Sequence, residues 1–266
     1  MVQGLTEFVP VSSSAHLVLV PWLLGWEHPS LAFDTTLHLG TLLALLLYFW
    51  RDVWSILGAW LEGWRRLSWQ DPNARLGWLL ILANVPAVAA GLALENVFEA
   101  LFGAPNFVGF ALLITGALLA ITELLGAQLK GLEKLGYAAA SVIGIAQAIS
   151  ISPGISRSGA TIAAGLAMGY TRESAARFSF LLSIPIIAGA GLTQFLTLVR
   201  HGDVAGASGL ALAAGFAAAL ISGYLCVKFL LSYFRRGSLY VFAVYCWLFG
   251  LMTLALWYFN GGKGLG

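Results

Sequence analysis

The chain has 266 residues, of which 59% are apolar and only 10% are charged, and its mean hydropathy is +0.86. Soluble domains carry roughly 25% charged residues, so this composition excludes an ordinary soluble domain and indicates a single membrane domain over residues 1–266. The net charge of +2, without a basic run interleaved with aromatic residues, excludes a nucleic-acid-binding protein.

Six segments are apolar enough to cross a bilayer, which takes about 20 residues of helix. We predict spans at Leu31–Trp50, Leu76–Val97, Pro105–Leu125, Ser174–Val199, Ala207–Leu231 and Leu239–Phe259. Asn84-Val-Pro86 is predicted to interrupt the second span, because proline lacks an amide hydrogen and clashes inside a helix. The tryptophans and arginines of the 51–75 loop are typical of an amphipathic helix at the membrane interface.

Two further regions are apolar but broken in the middle, so that neither half of either region can span a bilayer. The first, Met1–Trp26, is broken by a proline and polar residues: Glu7, Pro10, Ser12, Ser13, Ser14 and His16. The second, Leu135–Gly169, is broken by a similar set: Ser150, Ser152, Pro153, Gly154, Ser156, Arg157 and Ser158. We predict a re-entrant helix hairpin for each, because exposed backbone at membrane depth is tolerated only where it lines a cavity.

A broken segment followed by three spans occurs twice, over residues 1–126 and again over residues 135–259. An odd number of spans per half turns the second half upside down relative to the first. The sequence thus predicts an all-α integral membrane protein with six transmembrane helices and two re-entrant helix hairpins in an inverted-topology repeat. In such folds the ligand lies near the bilayer midplane, at the interface between the repeats.

Lysine and arginine are concentrated in three predicted loops, 51–75, 126–137 and 232–238, whereas the 98–104 loop contains neither. The positive-inside rule places these three loops in the cytoplasm and both chain ends outside. The first hairpin then enters the membrane from the outer side, and the second from the inner side.

Arg157 lies at membrane depth, where a charged residue costs roughly 2.5–3.5 kcal/mol on the lenient insertion scale and usually faces a cavity. The hydroxyl and small residues around it in sequence suit an oxyanion. Ser156 is predicted to open a helix, and Ser12 or Ser13 to open the helix after the first break. Because helix N-termini attract anions and a guanidinium fork binds phosphoryl groups, we predict a phosphate site shared by the two hairpins.

Glu7 and His16 lie close together in the first broken segment. A lone buried histidine is more often structural, and Glu7 could serve only as an ion-pair partner for Arg157. Their grouping in a segment that parallels a second broken segment favours chemistry instead. Preorganised positive charge with a nearby carboxylate and imidazole points to phosphoryl transfer.

Gln3-Gly-Leu-Thr-Glu-Phe-Val-Pro-Val-Ser-Ser-Ser-Ala-His16 and Pro153-Gly-Ile-Ser-Arg-Ser-Gly-Ala-Thr161 resemble the two signature motifs of the bacterial undecaprenyl pyrophosphate phosphatase family, also called the bacitracin resistance protein family. The resemblance includes Asn84-Val-Pro-Ala-Val and Phe178-Ser-Phe-Leu-Leu-Ser-Ile-Pro185, and so covers nearly the whole chain. It implies an inner-membrane hydrolase that removes the terminal phosphate of undecaprenyl pyrophosphate on the outer side. The product is the lipid carrier for peptidoglycan synthesis, and the activity confers bacitracin resistance. The family has six spans and two re-entrant hairpins, and depends on a divalent cation, Mg²⁺ or Ca²⁺.

The resemblance also implies roles for individual residues. The predicted catalytic residues are Glu7, Ser13, His16 and Arg157, with Glu7 also the metal ligand. The resemblance places phosphate-facing hydroxyls at Ser13, Ser156 and Thr161. The full set of predicted phosphate-binding residues is Gln3, Ser12, Ser156, Ser158 and Thr161. Many family members have a second glutamate where this chain has Gln3. We expect Gln3 to serve there as a neutral ligand or a hydrogen-bonding group. Ser13, His16 and water all remain open as the nucleophile.

Two other functions compete with this interpretation. A lipid phosphatase of the soluble-type acid phosphatase superfamily fails, because Ser156-Arg157 would need a histidine where the chain has Ala163. A transporter or flippase of a polyprenyl phosphate lipid stays open, because transporters share inverted repeats and broken helices. The expected partners are a polyprenyl pyrophosphate and membrane lipid but no nucleic acid, and a homodimer is left open.

Overall fold

The structure is a computed structural model that describes residues 1–26, 29–66, 70–102, 104–201 and 208–261. Over these residues the chain forms twelve α-helices: α1 (Val2–Thr6), α2 (Ser13–Leu24), α3 (Leu31–Tyr48), α4 (Trp50–Arg66), α5 (Pro72–Ala93), α6 (Glu95–Phe102), α7 (Pro105–Leu125), α8 (Tyr137–Ile149), α9 (Arg157–Ala167), α10 (Arg172–His201), α11 (Gly209–Tyr233) and α12 (Tyr240–Phe259).

Six of these helices, α3, α5, α7, α10, α11 and α12, are long and apolar enough to cross a membrane. They follow the predicted spans in order, and most of their ends differ from the prediction by only a few residues. The predicted start at Ala207 and most of the 200–206 loop lie outside the described residues. The chain is therefore an all-α integral membrane protein, as its composition predicts.

The predicted break at Asn84-Val-Pro86 is wrong, because α5 runs through it with Pro86 inside the helix. Asn84 Nδ2 donates to Leu80 O at 2.9 Å and to Leu182 O of α10 at 3.3 Å. Membrane helices tolerate proline where neighbouring polar groups compensate for the lost backbone hydrogen bond. The Asn84 amide thus ties α5 to α10 at the point where a local rule predicts a break.

Of two loop predictions, one is confirmed and the other changes. A helix, α4, occupies much of the 51–75 loop as predicted, and its Trp60 ring lies 5.4 Å from that of Trp78 in α5. In contrast, α6 extends into the 98–104 segment, which is predicted to be a loop. These helices of 17 and 8 residues are additions to the six membrane-spanning ones and leave their order unchanged.

Each broken region forms two shorter helices around a turn, α1 with α2 and α8 with α9. A Cβ atom on Gly4 of α1 would lie 2.6 Å from the carbonyl oxygen of Ala219 in α11. Likewise, a Cβ atom on Gly144 of α8 would lie 2.6 Å from the carbonyl oxygen of Ala83 in α5. Glycine at both positions lets a short helix pack directly on the backbone of a long one. This packing fixes the position of the turn that follows each short helix.

Candidate active site

The turn between α1 and α2 places Glu7 in the interior. Glu7 follows the last residue of α1, and Phe8 beside it is fully buried against Phe180 of α10, with ring centroids 5.7 Å apart. Ser12 closes the turn with a φ of 69°, a left-handed conformation that is uncommon for residues other than glycine. Its Oγ accepts a hydrogen bond from an amide in the first turn of α2. Ser12, rather than Ser13, is therefore the N-cap of α2.

The turn between α8 and α9 is organised by Ser156. Its Oγ accepts a hydrogen bond from Gly159 N at 3.0 Å, so this serine opens α9 as predicted. The Ser156 amide donates to Thr115 Oγ1 of α7 at 3.1 Å, and that hydroxyl donates to Gly154 O at 3.2 Å. Thr115 thus holds two points of the turn and fixes where α9 begins, which is at Arg157.

The two turns contact each other directly. Ser14 Oγ accepts a hydrogen bond from Gly154 N at 3.3 Å, and Ser158 Oγ donates to Val9 O at 3.3 Å. Both donors belong to the second turn: a backbone amide donates to a side chain of the first turn, and a side chain donates to its backbone. The structure therefore brings the two broken segments together as one polar cluster.

Glu7 is at the centre of this cluster. Its Oε1 accepts a hydrogen bond from Arg157 Nη2 at 2.6 Å, and its Oε2 accepts from Ser13 Oγ at 2.7 Å and from Gln3 Nε2 at 2.8 Å. The Glu7 side chain is 5% exposed and that of Arg157 is 18% exposed. A buried carboxylate is tolerated when it is paired and hydrogen-bonded, and these three donors meet that requirement.

A histidine outside the predicted site also approaches Glu7. His38 Nε2 of α3 lies 3.9 Å from Glu7 Oε2. His38 Nδ1 lies 2.9 Å from Asp34 O, and because a carbonyl oxygen only accepts, Nδ1 carries a hydrogen. The position of His38 within a predicted span could have indicated this contact, because an ionisable residue in a membrane span usually faces a polar site.

His16 has different partners from Glu7. Its Nδ1 lies 2.7 Å from Ser12 O, and its Nε2 lies 2.7 Å from the hydroxyl of Tyr245 in α12. The ring also stacks on Phe249 of α12, with centroids 5.0 Å apart. Tyr245 is not among the predicted site residues, because it is separated from His16 by 229 positions and has no distinguishing motif around it.

The predicted phosphate-binding hydroxyls of the second segment already have partners within the protein. The Oγ atoms of Ser156 and Ser158 lie 3.2 Å apart at the start of α9. Thr161 lies further along α9, is only 1% exposed, and has its Oγ1 2.6 Å from Ser179 Oγ of α10. The two serines therefore belong to the turn, whereas Thr161 links α9 to α10.

The oxygen atoms around Glu7 fit a hard divalent cation. Mg²⁺ and Ca²⁺ prefer oxygen ligands, and Mg²⁺ commonly uses one or two carboxylates together with substrate phosphates. Gln3 Oε1 is a buried amide oxygen with no hydrogen-bond partner among the described residues. Within that part of the chain, no group of three or more His, Cys, Asp or Glu residues is suited to hold a metal. A cation at Glu7 would therefore rely on phosphate oxygens to complete its ligands.

The cluster combines the groups that phosphoryl transfer requires. Arg157 is more exposed than Glu7 and is the cation that an entering anion can reach. Two helices, α2 and α9, begin at the cluster, and the amides and dipole of a helix N-terminus favour a negative charge. The Ser13 hydroxyl, bound to a carboxylate, has the arrangement of a nucleophile with its base.

Comparison with known proteins identifies the family. Residues 1–252 match the family model described as bacitracin resistance protein BacA. A protein of Thermomicrobium roseum named undecaprenyl-diphosphatase is 45% identical over 96% of this chain and 94% of its own length. Proteins of the same name from Geobacter sulfurreducens and Moorella thermoacetica are 45% and 42% identical over 96% and 97% of this chain, and over 94% and 95% of their own lengths. The chain therefore belongs to the bacitracin resistance protein BacA family.

Proposed function

We propose that this protein hydrolyses undecaprenyl diphosphate to undecaprenyl phosphate and inorganic phosphate. The contact between Arg157 and Glu7 carries the proposal, because it joins a phosphate-binding cation to a carboxylate that already holds the Ser13 hydroxyl. Relatives named undecaprenyl-diphosphatase, which match almost the whole chain, support the choice of substrate. Such a reaction returns the lipid carrier to peptidoglycan synthesis and counters bacitracin.

Substrate binding would release Glu7 from Arg157. A diphosphate offers paired oxygens that match the planar guanidinium fork better than the single Glu7 oxygen it now contacts. When Arg157 binds the phosphates, Glu7 Oε1 loses its donor while Oε2 still holds Ser13. The carboxylate then becomes available as a general base.

Ser13 is the nucleophile that the contacts favour among the three left open. Its Oγ lies 2.7 Å from Glu7 Oε2, so the hydroxyl proton has an acceptor in place. Ser13 Oγ forms a bond to the terminal phosphorus as its proton passes to Glu7. The bond from that phosphorus to the bridging oxygen breaks, and undecaprenyl phosphate leaves. Water then attacks the phosphoserine and inorganic phosphate is released.

We assign His16 to proton transfer rather than to attack on phosphorus. Its Nδ1 faces Ser12 O and its Nε2 lone pair faces the Tyr245 hydroxyl, both at 2.7 Å, so a proton can reach Nε2 through that hydroxyl whereas a phosphorus atom cannot approach either nitrogen directly. His16 lies three residues after Ser13 on α2, and side chains at this spacing share one face of a helix. In the second step the attacking water gives its proton to the hydroxyl that contacts His16 Nε2, as the hydrogen of that hydroxyl passes to Nε2. Glu7 returns its proton to Ser13 Oγ, and His16 then releases its proton to solvent.

A divalent cation, Mg²⁺ or Ca²⁺, would neutralise phosphate charge and reduce the repulsion that the nucleophile meets. Glu7 would hold it, with Gln3 Oε1 as a neutral second ligand. Gln3 Nε2 donates to Glu7 at 2.8 Å, and this contact orients the amide that carries the unpartnered oxygen. Gln3 thereby takes the place at which many relatives, by resemblance, carry a second glutamate.

The packing of the short helices supports the inverted repeat. In the first half, α1 packs on α11, the middle long helix of the second half, and α8 packs reciprocally on α5, the middle long helix of the first. We infer that both turns re-enter the membrane, so that the diphosphate enters between them while the polyprenyl tail stays in lipid. The loop charges favour a site that opens to the outer side of the bacterial inner membrane.

Release of inorganic phosphate by purified protein tests the proposal. In detergent, we expect phosphate release from farnesyl diphosphate and undecaprenyl diphosphate, its loss on addition of EDTA, and its recovery with Mg²⁺ or Ca²⁺. A transporter or flippase would release no phosphate under these conditions. Absence of release from both lipids with either cation would overturn the proposed hydrolysis.

Replacement of Ser13 by alanine is expected to reduce phosphate release by roughly 10²–10³-fold, because a water molecule beside Glu7 can partly replace the lost hydroxyl. Ser14→Ala is the matched control, since the Ser14 hydroxyl contacts Gly154 N rather than Glu7. We expect phosphate release by Ser14→Ala to fall by less than about tenfold. Ser13→Ala turnover equal to that of Ser14→Ala would exclude Ser13 as the nucleophile.

A further inference from the structure

The hydroxyl of Tyr245 caps the imidazole of His16. Tyr245 Oη lies 2.7 Å from Nε2, and on the other side of the ring Nδ1 lies 2.7 Å from Ser12 O. Because a carbonyl oxygen only accepts, Nδ1 carries a hydrogen. In the neutral ring Nε2 then holds the lone pair, and the Tyr245 hydroxyl donates to it. The two contacts together select one of the two neutral tautomers.

Aromatic rings of α12 also hold the imidazole in place. His16 is 6% exposed, stacks on Phe249 with centroids 5.0 Å apart, and lies nearly parallel to the Tyr245 ring, with an interplanar angle of 9°. Tyr245 and Phe249 are one helical turn apart on α12, and their rings lie 5.8 Å from each other. This aromatic pair restricts rotation of the imidazole and keeps its Nε2 at the Tyr245 hydroxyl.

A phenol hydroxyl suits both protonation states of the imidazole. It donates to the Nε2 lone pair of the neutral ring, and it accepts from the Nε2–H of the imidazolium. When the hydroxyl hydrogen passes to Nε2, the phenol oxygen takes the incoming proton in its place and then accepts from Nε2–H, so no heavy atom has to move. A partner that is already oriented for both states lowers the reorganisation that accompanies proton transfer.

We propose that Tyr245 is a positioning residue for His16: its hydroxyl orients the Nε2 lone pair of the neutral ring and supports the imidazolium after proton uptake. The proposal rests on the proton-transfer role of His16 in the proposed hydrolysis. Through this contact, α12 in the second half of the chain controls a reactive group of the first half. Tyr245 would act on His16 as the third residue of a catalytic triad acts on its base, by orienting it.

Tyr245→Phe tests the proposal, because it removes the hydroxyl and keeps the stacked ring. We expect kcat for phosphate release from farnesyl diphosphate to fall by about tenfold or more, with KM within about twofold of the parent. Tyr258→Phe removes a hydroxyl from a 75% exposed residue of the same helix and is the matched control. It is expected to leave both constants unchanged.

A double-mutant cycle distinguishes positioning from general packing. If Tyr245 acts through His16, Tyr245→Phe causes no further loss in a His16→Ala background. A packing role would cause the same loss in both backgrounds, and this result would overturn the proposal. Thermal unfolding of each variant in detergent shows whether equal amounts of folded protein are compared.

Nitrogen-15 NMR of histidine-labelled protein gives a readout that does not depend on activity. We expect His16 of the parent to show a protonated Nδ1 and a hydrogen-bonded Nε2, with the Nε2 resonance of Tyr245→Phe shifted to that of a free lone pair. An unshifted Nε2 resonance, or an unchanged kcat, would overturn the proposal for Tyr245. If the parent releases no phosphate, the proposed hydrolysis fails, while the NMR comparison still decides whether the hydroxyl holds His16.

Discussion

Replacement of Arg157 by alanine is expected to lower phosphate release per folded molecule by roughly 10³–10⁵-fold, the range found for arginines that stabilise a transferring phosphoryl group. The guanidinium is the cation of the cluster that lies within hydrogen-bond distance of Glu7, at 2.6 Å. Arg157→Lys keeps the charge but loses the planar fork, so it should recover only a small part of the activity. Phosphate release and thermal unfolding are measured on the same detergent preparation.

The chain contains a matched control for this experiment. Arg172 of α10 forms an ion pair with Glu123 of α7, and the two side chains are 24% and 4% exposed, close to the values for Arg157 and Glu7. Removing either arginine leaves a buried carboxylate unpaired, which costs roughly 3–5 kcal/mol of stability. Arg172→Ala should therefore destabilise the protein similarly but keep turnover per folded molecule. Equal loss of turnover in both variants would show that the effect of Arg157 is structural.

Replacement of Glu7 by glutamine is expected to reduce phosphate release by roughly 10⁴-fold, because one change removes the general base and the proposed metal ligand. Glutamine has nearly the same shape, but it cannot take the Ser13 proton and leaves Arg157 without its anionic partner. Added Mg²⁺ or Ca²⁺ should not restore the activity. Steady-state phosphate release over a range of cation concentrations measures both effects.

Glu123→Gln provides the corresponding control for the carboxylate. The Glu123 side chain is 4% exposed, against 5% for Glu7, and it also accepts hydrogen bonds from an arginine, Arg172. It has no contact with Ser13 in the structure, so its loss should affect stability without removing the base. A tenfold loss of turnover corresponds to a rise of about 1.4 kcal/mol in the activation barrier. If Glu7→Gln loses less than this, the proposed role of Glu7 as the general base is wrong.

The six long helices were predictable because hydropathy reports the free energy of transferring a whole helix into lipid, and this depends on local sequence. The starts of α2 and α9 were predictable for a related reason. An N-cap is a contact between a serine and an amide two or three residues later, as at Ser156. The failed break at Pro86 shows the limit, because α5 continues through the proline, and whether a membrane helix tolerates one depends on the assembled fold.

The composition of the site was predictable only in part. The interrupted segments marked Glu7 and Arg157, since ionisable residues at membrane depth rarely lack a function. The sequence could not show that Glu7 would lie beside His38 instead of His16. Nor could it show that the Tyr245 hydroxyl would form a hydrogen bond with the imidazole of His16. Those contacts depend on how α2 packs against α3 and α12, and such packing is set by the assembled fold.

A structure with a bound, non-hydrolysable substrate analogue tests most directly whether the two turns form one catalytic site. Farnesyl methylene-diphosphonate, in which carbon replaces the bridging oxygen, cannot be cleaved by the proposed reaction. We expect its terminal phosphonate to contact Arg157 and Ser13, with Arg157 turned from Glu7 toward the ligand. A head group bound away from both turns, or Glu7 and Arg157 on separate surfaces, would contradict the shared site and the hydrolysis built on it.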